Sequence, residues 1–413
     1  MPPSHSLNVS DPALLPIRDK LLADESLSHS DGLTLYSTPD LHGLGRLANY
    51  IREKLHGKNT YYNRNRHINY TNVCALSCKF CSFYRKRGEE GAYEMSVEQV
   101  IATAVKARDA GASEVHIVGG LHPWLKFDYY LDMLRGIRTA APTLHIKAFT
   151  AIEIIHFSRI AHLNIRDTLI ALKEAGLGSL PGGGAEIFDP RVHAEVFKGK
   201  VDEHRWFEVH RTAHSLGIFS NATILYGHVE TQAERVTHFI KLRNLQQESL
   251  DALVEATPAS RCSAGRRNEG DAGVAPTNRD AGVAPTKAYF NCCIPLSFIP
   301  ENSELGHLPG PTGLTDLRTL AIARLMLPQI PHIKAFWIMQ GIGLSQLSQN
   351  FGVDDVDGTV VFYDITKREG HGTHQELHES DLKRLIRESG HIPVERDTLY
   401  HPMTSRATAE VIV

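Results

Sequence analysis

Residues 66–81 read RHINYTNVCALSCKFC, a short strand-like segment that leads directly into three closely spaced cysteines. These are Cys74, Cys78 and Cys81. Thiolates are the soft ligands that hold iron–sulfur clusters, and a four-iron cluster needs four ligands to be filled. Because only three thiols lie together here, the spacing predicts a 4Fe-4S cluster that has three cysteine ligands and one iron open to a substrate.

Chance does not account for this spacing. The chain holds six cysteines in 413 residues, so the expected number of such triplets is on the order of one in a thousand. A zinc site remains an alternative, although structural zinc needs four Cys or His ligands in paired spacings, and no second pair stands out. Residues 1–5 show no pattern of a secretory signal, so we expect reduced thiols, no disulfide framework and a cytoplasmic location.

Composition indicates a globular chain without a bias towards nucleic acid or membrane. Apolar residues make up 42% and charged residues 22% of the sequence, which are ordinary shares. The formal net charge of −3 offers no basic surface for nucleic acid, and no uninterrupted apolar run approaches the ~18 residues of a membrane helix. We therefore expect small-molecule chemistry, with neither nucleic acid nor membrane as a partner.

Short apolar segments alternate with amphipathic helices along most of the chain. The candidate strands are residues 66–73, 115–118, 145–150, 178–184, 218–226, 292–299 and 333–339, with an ill-defined eighth around 359–362. Ser96 with Gln99, and Thr231 with Glu234, form the capping-box pattern that begins a helix. Repeated units of this kind predict an α/β fold, a TIM-like (β/α) barrel of parallel strands. The cysteine loop follows the first strand, at the end of the barrel where active sites are built.

The amino-terminal part of the chain differs from the barrel units. Residues 1–60 are predicted to form a helical extension that covers the barrel. Its clearest helix places leucine and isoleucine on one face and ends at Gly57. The residues of this face are Leu44, Leu47, Ile51 and Leu55. Residues 61–400 form the barrel domain, and residues 401–413 form a tail.

One internal segment, at about 248–287, is predicted to be a disordered surface insertion. It repeats the string DAGVAPT and lacks large apolar side chains, so burial cannot offset the entropy of ordering it. Cys262 lies within this segment and is predicted to be an exposed spectator rather than a fourth cluster ligand.

Several strings together resemble the aminofutalosine synthases, a family of radical S-adenosylmethionine enzymes in the futalosine route to menaquinone. They are NYTNVCALSCKFCSFYR, GGLHP, HIKAFTAIEI, GLGSLPGGGAEIFDPRV, HRTAHSLGIFSNATILYGHVET, CCIPLSFIPENSELG and HIKAFWIMQGIGL. The resemblance covers about residues 35–400 apart from the insertion. Dehypoxanthine futalosine cyclases and deazaflavin-forming synthase subunits share the cysteine motif and remain alternatives. The strings IPLSFIPENSEL and HIKAFWIMQG favour the synthases.

The resemblance implies a radical reaction. In this family the cluster binds S-adenosylmethionine, which is consumed as a substrate. Its 5′-deoxyadenosyl radical adds to the enol carbon of 3-[(1-carboxyvinyl)oxy]benzoate, and aryl migration and loss of the carboxyl group then give aminodeoxyfutalosine. A reductant such as flavodoxin or ferredoxin supplies the electron. A non-enzymatic iron–sulfur or zinc protein is the alternative of another class.

The family also holds S-adenosylmethionine with glycine-rich strand ends and acidic side chains. By resemblance, the contacting residues here are Gly119, Gly120, Glu153, Gly182, Gly183, Gly184, Glu186, Thr223, Leu225, Gly227 and Glu230. Leu121 stands where the family usually has Glu, and Thr223 stands where it has glycine. No catalytic residue is assigned.

A substrate with two carboxylates needs cationic or hydrogen-bonding partners at the barrel mouth. The candidates are His122, His228, Lys147, Lys334 and Arg85. Cys292 and Cys293 are adjacent on a predicted strand, so their side chains face opposite ways and at most one could approach the site. We expect both to pack as small apolar groups.

Overall fold

The computed structural model describes residues 7–197, 199–256, 288–360 and 376–403. Its strands are β1 Asn59–Asn63, β2 Asn65–Ile68, β3 Glu114–Ile117, β4 His145–Ala148, β5 Ser179–Leu180, β6 Phe219–Tyr226, β7 Phe290–Ser297, β8 His332–Ile333, β9 Asp355–Gly358 and β10 Ile392–Glu395. Its helices are α1 Leu15–Leu22, α2 His29–Ser37, α3 Leu41–His56, α4 Val97–Asp109, α5 Phe127–Ala140, α6 Ala151–Ala161, α7 Ile165–Ala175, α8 Pro190–Val196, α9 Glu203–Ser215, α10 Gln232–Ala256, α11 Gly313–Met326, α12 Trp337–Gln340, α13 Ile342–Ser348 and α14 Glu379–Glu388. Within the described ranges, no helix is both long and apolar enough to cross a membrane.

Seven parallel strands, β2 to β8, form one sheet whose spatial order follows the chain order. Helices separate most consecutive strands and bury an apolar stripe against them. In α4 that stripe is Val100, Ala104 and Ala107, and the predicted capping box is present at its start. The Ser96 amide donates to Gln99 Oε1 at 2.7 Å, and the Gln99 amide donates to Ser96 Oγ at 3.2 Å. The predicted parallel α/β architecture is therefore confirmed.

Strand β9 lies between the two edges of this sheet. The Ala335 amide beyond β8 donates to the Asp355 carbonyl at 2.9 Å, and β9 pairs in parallel with β1. Only Arg64 separates β1 from β2, so β9 connects the last strand of the sheet with the extension of its first. The predicted TIM-like barrel is confirmed. Its eighth strand is residues 355–358 rather than the segment around 359–362, of which 361–362 lie outside the described residues.

The amino-terminal helices pack on the outside of the barrel, and α3 lies against α11. Leu44, Leu47 and Ile51 are buried as predicted, whereas Leu55 is 44% exposed and does not belong to the packed face. The extension is not entirely helical, because β1 begins at Asn59 and pairs with β9 and β10 in a second, three-stranded sheet. Strand β10 was not predicted.

Two predicted boundaries are wrong. The segment 333–339 is not one strand: β8 ends at Ile333, and Trp337–Gln340 form the short helix α12. The predicted disordered insertion begins as helix, because α10 continues through Ala256. Residues 257–287, which include Cys262, lie outside the described residues.

Charged side chains fill much of the barrel interior, and each has a partner of opposite sign. The ion pairs are Lys147–Glu114 at 3.0 Å, Lys334–Asp357 at 2.9 Å and Arg396–Asp355 at 2.6 Å. All six residues are at most 3% exposed. We call these six residues the interior ion-pair network.

Candidate active site

The three cysteines lie in the loop between β2 and α4 and line one cavity of about 250 Å³ at the carboxyl ends of the strands. The Ala75 amide donates to the Leu121 carbonyl at 2.9 Å, and the Leu121 amide lies 3.4 Å from Cys74 Sγ. The loop is therefore fastened to the segment that follows β3. Burial raises the pKa of Cys78 to about 11 and also raises the pKa of Cys81.

Two basic side chains hold the cysteine loop from within. The Lys86 ammonium donates to the carbonyl oxygens of Cys74 and Leu76, at 3.1 and 2.9 Å. The Arg85 guanidinium donates to the carbonyl oxygens of Ser82 and Tyr84, at 3.0 and 2.8 Å. Arg85, a predicted partner of the substrate, thus already serves the backbone of the loop.

Glycines in the segment after β3 allow the backbone around the cysteine loop to pack closely against that segment. A Cβ atom on Gly120 would lie 2.4 Å from the Val73 carbonyl oxygen, and one on Gly119 would lie 2.7 Å from the Tyr70 ring. Such contacts are below any tolerable separation, and at Gly120 the opposing atom is backbone that cannot swing aside. Both positions line the cavity, which therefore owes part of its wall to the lack of side chains.

Glu153 lines the cavity and connects three segments around it. Its Oε1 accepts the Tyr70 hydroxyl at 2.8 Å and the Gly119 amide at 3.1 Å. Its Oε2 accepts the amide and the hydroxyl of Thr150, at 2.7 and 2.8 Å, and so forms the capping box of α6. Burial raises the pKa of Glu153 to about 7, although these four donors act in the opposite direction.

Lys200 supplies a positive charge to the same cavity. Its ammonium forms an ion pair with Glu186, and both side chains are at least nine-tenths buried. Burial is the largest influence on the pKa of Lys200 and acts to lower it, but Glu186 together with Cys78 and Cys81 raises that pKa above its usual value. Lys200 was not predicted from the sequence, since it lies between α8 and α9 in a KGK string where no spacing distinguishes it from Lys198.

The remaining residues predicted to contact S-adenosylmethionine fall into two groups. Gly183, Gly184 and Leu225 line the cavity, as do Gly119, Gly120, Glu153 and Glu186. Gly182, Thr223, Gly227 and Glu230 do not line it. The Thr223 hydroxyl donates to the Gly182 carbonyl at 2.8 Å, and Glu230 accepts the Gly227 amide at 2.6 Å while it pairs with Arg235 at 2.7 Å.

The five predicted partners of a dicarboxylate do not line this cavity. His122 lies 2.7 Å from Glu94, and His228 is 3.2 Å from Glu230 and 3.1 Å from the Leu225 carbonyl. Lys147 and Lys334 belong to the interior ion-pair network, and Arg85 serves the cysteine loop. Cys292 and Cys293 are fully buried and also lie outside the lining, as their packing role predicts.

The geometry of the thiols disfavours a single zinc ion. Zinc–sulfur bonds of about 2.3 Å keep two sulfurs on one ion within about 4.6 Å of each other. Among described residues, only His56, His332 and Asp354 bring three candidate ligand atoms within 4.8 Å of one another. That group is an ion-pair cluster, because Asp354 also binds the buried Arg324 guanidinium and accepts the Ile333 amide at 2.8 Å.

The donor set fits an iron–sulfur cluster instead. Three soft ligands share one cavity wall, and the neighbouring glycines leave room beside them for a further ligand. The lining also has an apolar part, which we call the apolar wall and which includes Leu296, Phe298, Ile299 and Met339. Such a cavity can hold a cluster next to a substrate and keep water away from both.

Comparison with known proteins agrees with this arrangement. Residues 68–241 match the family model of the radical SAM superfamily, and residues 288–409 match the CofH/MqnC C-terminal region. Two solved structures share the fold. Methylornithine synthase has a TM-score of 0.64 and 18% identity, and the match covers 91% of this chain and 97% of that one. The FeFe-hydrogenase maturase HydG from Carboxydothermus hydrogenoformans has a TM-score of 0.63 and 15% identity, and the match covers 93% of this chain and 80% of that one.

Closer similarity comes from curated relatives. The aminodeoxyfutalosine synthase of Thermus thermophilus is 43% identical over 95% of this chain and 96% of its own length, and that of Streptomyces coelicolor is 37% identical over 93% and 92%. A Methanopyrus kandleri protein named 5-amino-6-(D-ribitylamino)uracil–L-tyrosine 4-hydroxyphenyl transferase is 34% identical over 88% and 90%. The chain therefore belongs to the aminodeoxyfutalosine synthase family, radical S-adenosylmethionine enzymes of the futalosine route to menaquinone.

Proposed function

We propose that the enzyme adds the 5′-deoxyadenosyl group of S-adenosylmethionine to 3-[(1-carboxyvinyl)oxy]benzoate and releases methionine. Migration of the aryl group and loss of the enol carboxyl group as bicarbonate then give 6-amino-6-deoxyfutalosine. The observation that carries this proposal is the 43% identity to the Thermus thermophilus synthase over 95% of the chain. The cavity supports it, because three thiols share it with an apolar wall suited to an aromatic substrate. S-adenosylmethionine is consumed in this reaction.

Cys74, Cys78 and Cys81 would hold three irons of a 4Fe-4S cluster and leave the fourth for S-adenosylmethionine. When bound, the cluster supplies the electron that breaks the sulfonium bond and releases the 5′-deoxyadenosyl radical. The chain fixes the loop that carries the thiols through Lys86 and through the Ala75 amide. An external one-electron carrier such as flavodoxin or ferredoxin would provide the electron.

The cavity-lining glycines would receive S-adenosylmethionine. Gly119, Gly120, Gly183 and Gly184 expose backbone that a ligand can approach closely, and Leu225 adds an apolar contact. Glu186 offers a carboxylate to the ribose hydroxyls. Four other predicted residues would position this glycine-rich part of the lining from outside the cavity, through the hydrogen bonds described above. They are Gly182, Thr223, Gly227 and Glu230.

Glu153 would act mainly by holding the neighbouring segments of the cavity in place. Its two oxygens already accept four hydrogen bonds, which is about the capacity of a carboxylate. It therefore fixes the Gly119 amide relative to Tyr70 and Thr150, and so sets the shape of the wall beside the cysteine loop. A ribose hydroxyl could bind Glu153 only by replacing one of these donors.

The apolar wall would hold the aryl group of the second substrate and exclude water. Leu296 lies near the end of β7, Phe298 and Ile299 follow that strand, and Met339 lies in α12. A carbon radical must be protected from side reactions until it meets its partner, and an apolar enclosure provides that protection. The wall therefore suits addition to an unsaturated ether attached to a benzoate.

The second candidate function is either the transferase reaction for which the archaeal relatives are named or the reaction of the dehypoxanthine futalosine cyclases. The Methanopyrus kandleri protein, at 34% identity, is named for the transfer of a 4-hydroxyphenyl group from L-tyrosine. Its lower identity makes this the weaker candidate. A dehypoxanthine futalosine cyclase would use the same cluster but abstract hydrogen, and would release 5′-deoxyadenosine with every turnover.

The fate of the adenosyl group distinguishes these candidates. Reconstituted enzyme is incubated without oxygen with a reductant, 3-[(1-carboxyvinyl)oxy]benzoate and S-adenosylmethionine labelled in adenine, and products are followed by mass spectrometry. We expect the label in aminodeoxyfutalosine, with one methionine per product, and no turnover by Cys81→Ala. Label found only in 5′-deoxyadenosine, with conversion of dehypoxanthine futalosine or of tyrosine with the ribityl uracil in parallel reactions, would overturn the proposal.

A further inference from the structure

The ionisable side chains that line the cavity are unbalanced, because acidic groups outnumber basic ones. Among the described lining residues, Lys200 is the sole Lys, Arg or His, whereas Glu153, Glu186 and the three cysteines can each carry a negative charge. The Lys200 side chain is only 8% exposed, so water screens its charge weakly. Its ammonium also lies 5.2 Å from the centre of the Phe80 ring and 5.7 Å from that of Phe197, which encloses it further.

Lys200 acts on the thiols as well as on Glu186. It lines the same cavity as Cys78 and Cys81, and Phe80, whose ring its ammonium contacts, immediately precedes Cys81 in the cysteine loop. Glu186 is the ion-pair partner of Lys200 and lines the same cavity, so it partly cancels the charge of Lys200. Lys200 and Glu186 are thus two opposite charges beside the proposed cluster.

We propose that Lys200 and Glu186 form a charge pair that sets the reduction potential of the cluster, with Lys200 raising the potential and Glu186 lowering it. Reduction adds one electron, and hence one negative charge, to a group already bound by three thiolates. A fixed cation in a cavity of low dielectric constant favours the more negative state, and a fixed anion disfavours it. This inference rests on the proposed three-cysteine cluster.

Four variants test this charge pair. Lys200→Met removes the cation, Lys200→Arg keeps it, Glu186→Gln removes the anion, and Lys79→Met is the matched control. Lys79 lies in the cysteine loop with an exposed side chain, so its charge is screened by water. Each enzyme is reconstituted without oxygen, and its iron and sulfide content is measured. The cluster is then titrated with dithionite and mediators in the absence of S-adenosylmethionine. Electron paramagnetic resonance follows the reduced form.

Opposite shifts are expected for the two charge deletions. The midpoint potential should become more negative in Lys200→Met and more positive in Glu186→Gln, and it should stay near the parental value in Lys200→Arg and Lys79→Met. If the ion pair only held the segment between α8 and α9 in place, both charge deletions would lower the melting temperature, and they would not shift the potential in opposite directions.

Each outcome bears on one claim. Parental potentials in both Lys200→Met and Glu186→Gln, with full cluster content, would overturn the inference. If Lys200→Met cannot hold a cluster, Glu186→Gln decides: a positive shift supports the inference, and an unchanged or negative potential contradicts it. A parent enzyme that binds no cluster through Cys74, Cys78 and Cys81 would instead contradict the proposed function.

Discussion

The mouth of the barrel and its interior ion-pair network hold charged side chains under opposite conditions. In the interior, Lys147, Lys334 and Arg396 each have a carboxylate partner within 3.0 Å. At the mouth, three thiols and two carboxylates share a cavity with a single lysine among the described lining residues.

This difference separates charges that stabilise the fold from charges that remain available for chemistry. In the interior network each charge is balanced by its partner, and loss of one partner leaves an uncompensated charge. An unbalanced site attracts a metal, a cofactor or a substrate instead. We therefore expect substitutions at the mouth to impair function first and substitutions in the interior to impair stability first.

The largest effect is expected at the cysteines of the mouth. Replacement of Cys74, Cys78 or Cys81 with Ala removes one thiolate from a set of three and should abolish turnover. Cys292→Ala, in the barrel interior, and Cys262→Ala should leave the cluster intact. The iron and sulfide content per chain after anaerobic reconstitution shows whether each variant holds a cluster. Loss of iron from either control would mean that the ligand set is wrong.

The next effect tests the glycine wall of the mouth. In Gly120→Ala the new Cβ would lie 2.4 Å from the Val73 carbonyl, so the cysteine loop must move. A displacement of this size at a reacting centre costs about a hundredfold in rate. Gly343→Ala is the matched control, because Gly343 lies in α13 and its Cβ would meet no atom within 4 Å.

The turnover number and iron content of both glycine variants check this prediction. Gly343→Ala should keep both and gain up to ~1 kcal/mol of stability, since alanine is favoured over glycine in a helix. Parental activity in Gly120→Ala would show that the loop tolerates displacement.

A substitution in the interior should show the reverse pattern. Arg396→Met leaves the buried Asp355 carboxylate without its cation, and breaking such a pair costs about 3–5 kcal/mol of unfolding free energy. The guanidinium also stacks on Tyr400, 4.0 Å from the ring centre. Chemical denaturation should reveal the loss, while protein prepared at low temperature should retain its iron. A loss of iron without a loss of stability would contradict the comparison.

The smallest effect concerns Glu153, a carboxyl group at the mouth that is also part of the fold. Its pKa is raised from 4.5 to about 7, so the folded protein binds its proton more tightly than the unfolded chain does. Its contribution to stability is therefore fully present below pH 4.5 and is lost as the pH rises through 7.

The Glu153→Gln variant isolates this contribution. The unfolding free energy of the parent should fall relative to that of Glu153→Gln between pH 4.5 and 8, by up to ~3 kcal/mol. Denaturation of both proteins across this range gives the difference, and a difference that is flat or rises with pH would refute the assignment.

The order of the barrel strands was predictable from the sequence, because buried parallel strands read as short apolar runs between helices. The run at 333–339 misled the prediction, since a buried helix such as α12 and a buried strand look alike over so few residues. Strand β1 reads NTYYN and has no apolar run; its strand conformation depends on pairing with β9 and β10, which lie some 290 or more residues away in the chain.

The candidate site was predictable where chemistry fixes the spacing. The cysteine triad and the glycines after β3 were found from local strings, and the cavity brings them together. Lys200 was not found, because its significance arises only when the fold sets it beside Glu186 and the thiols. Lys147 and Lys334 were proposed for the mouth on their charge alone, and their carboxylate partners in the interior come from the neighbouring strands β3 and β9, an adjacency that only the folded barrel shows.

The most direct test of the central claim is whether the mouth leaves one iron open to a ligand. Electron–nuclear double resonance on the reduced cluster, with S-adenosylmethionine carrying nitrogen-15 in its methionyl amine, reports whether that nitrogen is bound to iron. We predict a clear nitrogen-15 coupling in the parent enzyme. A reduced cluster that shows no such coupling with S-adenosylmethionine bound would contradict a three-cysteine site at the barrel mouth.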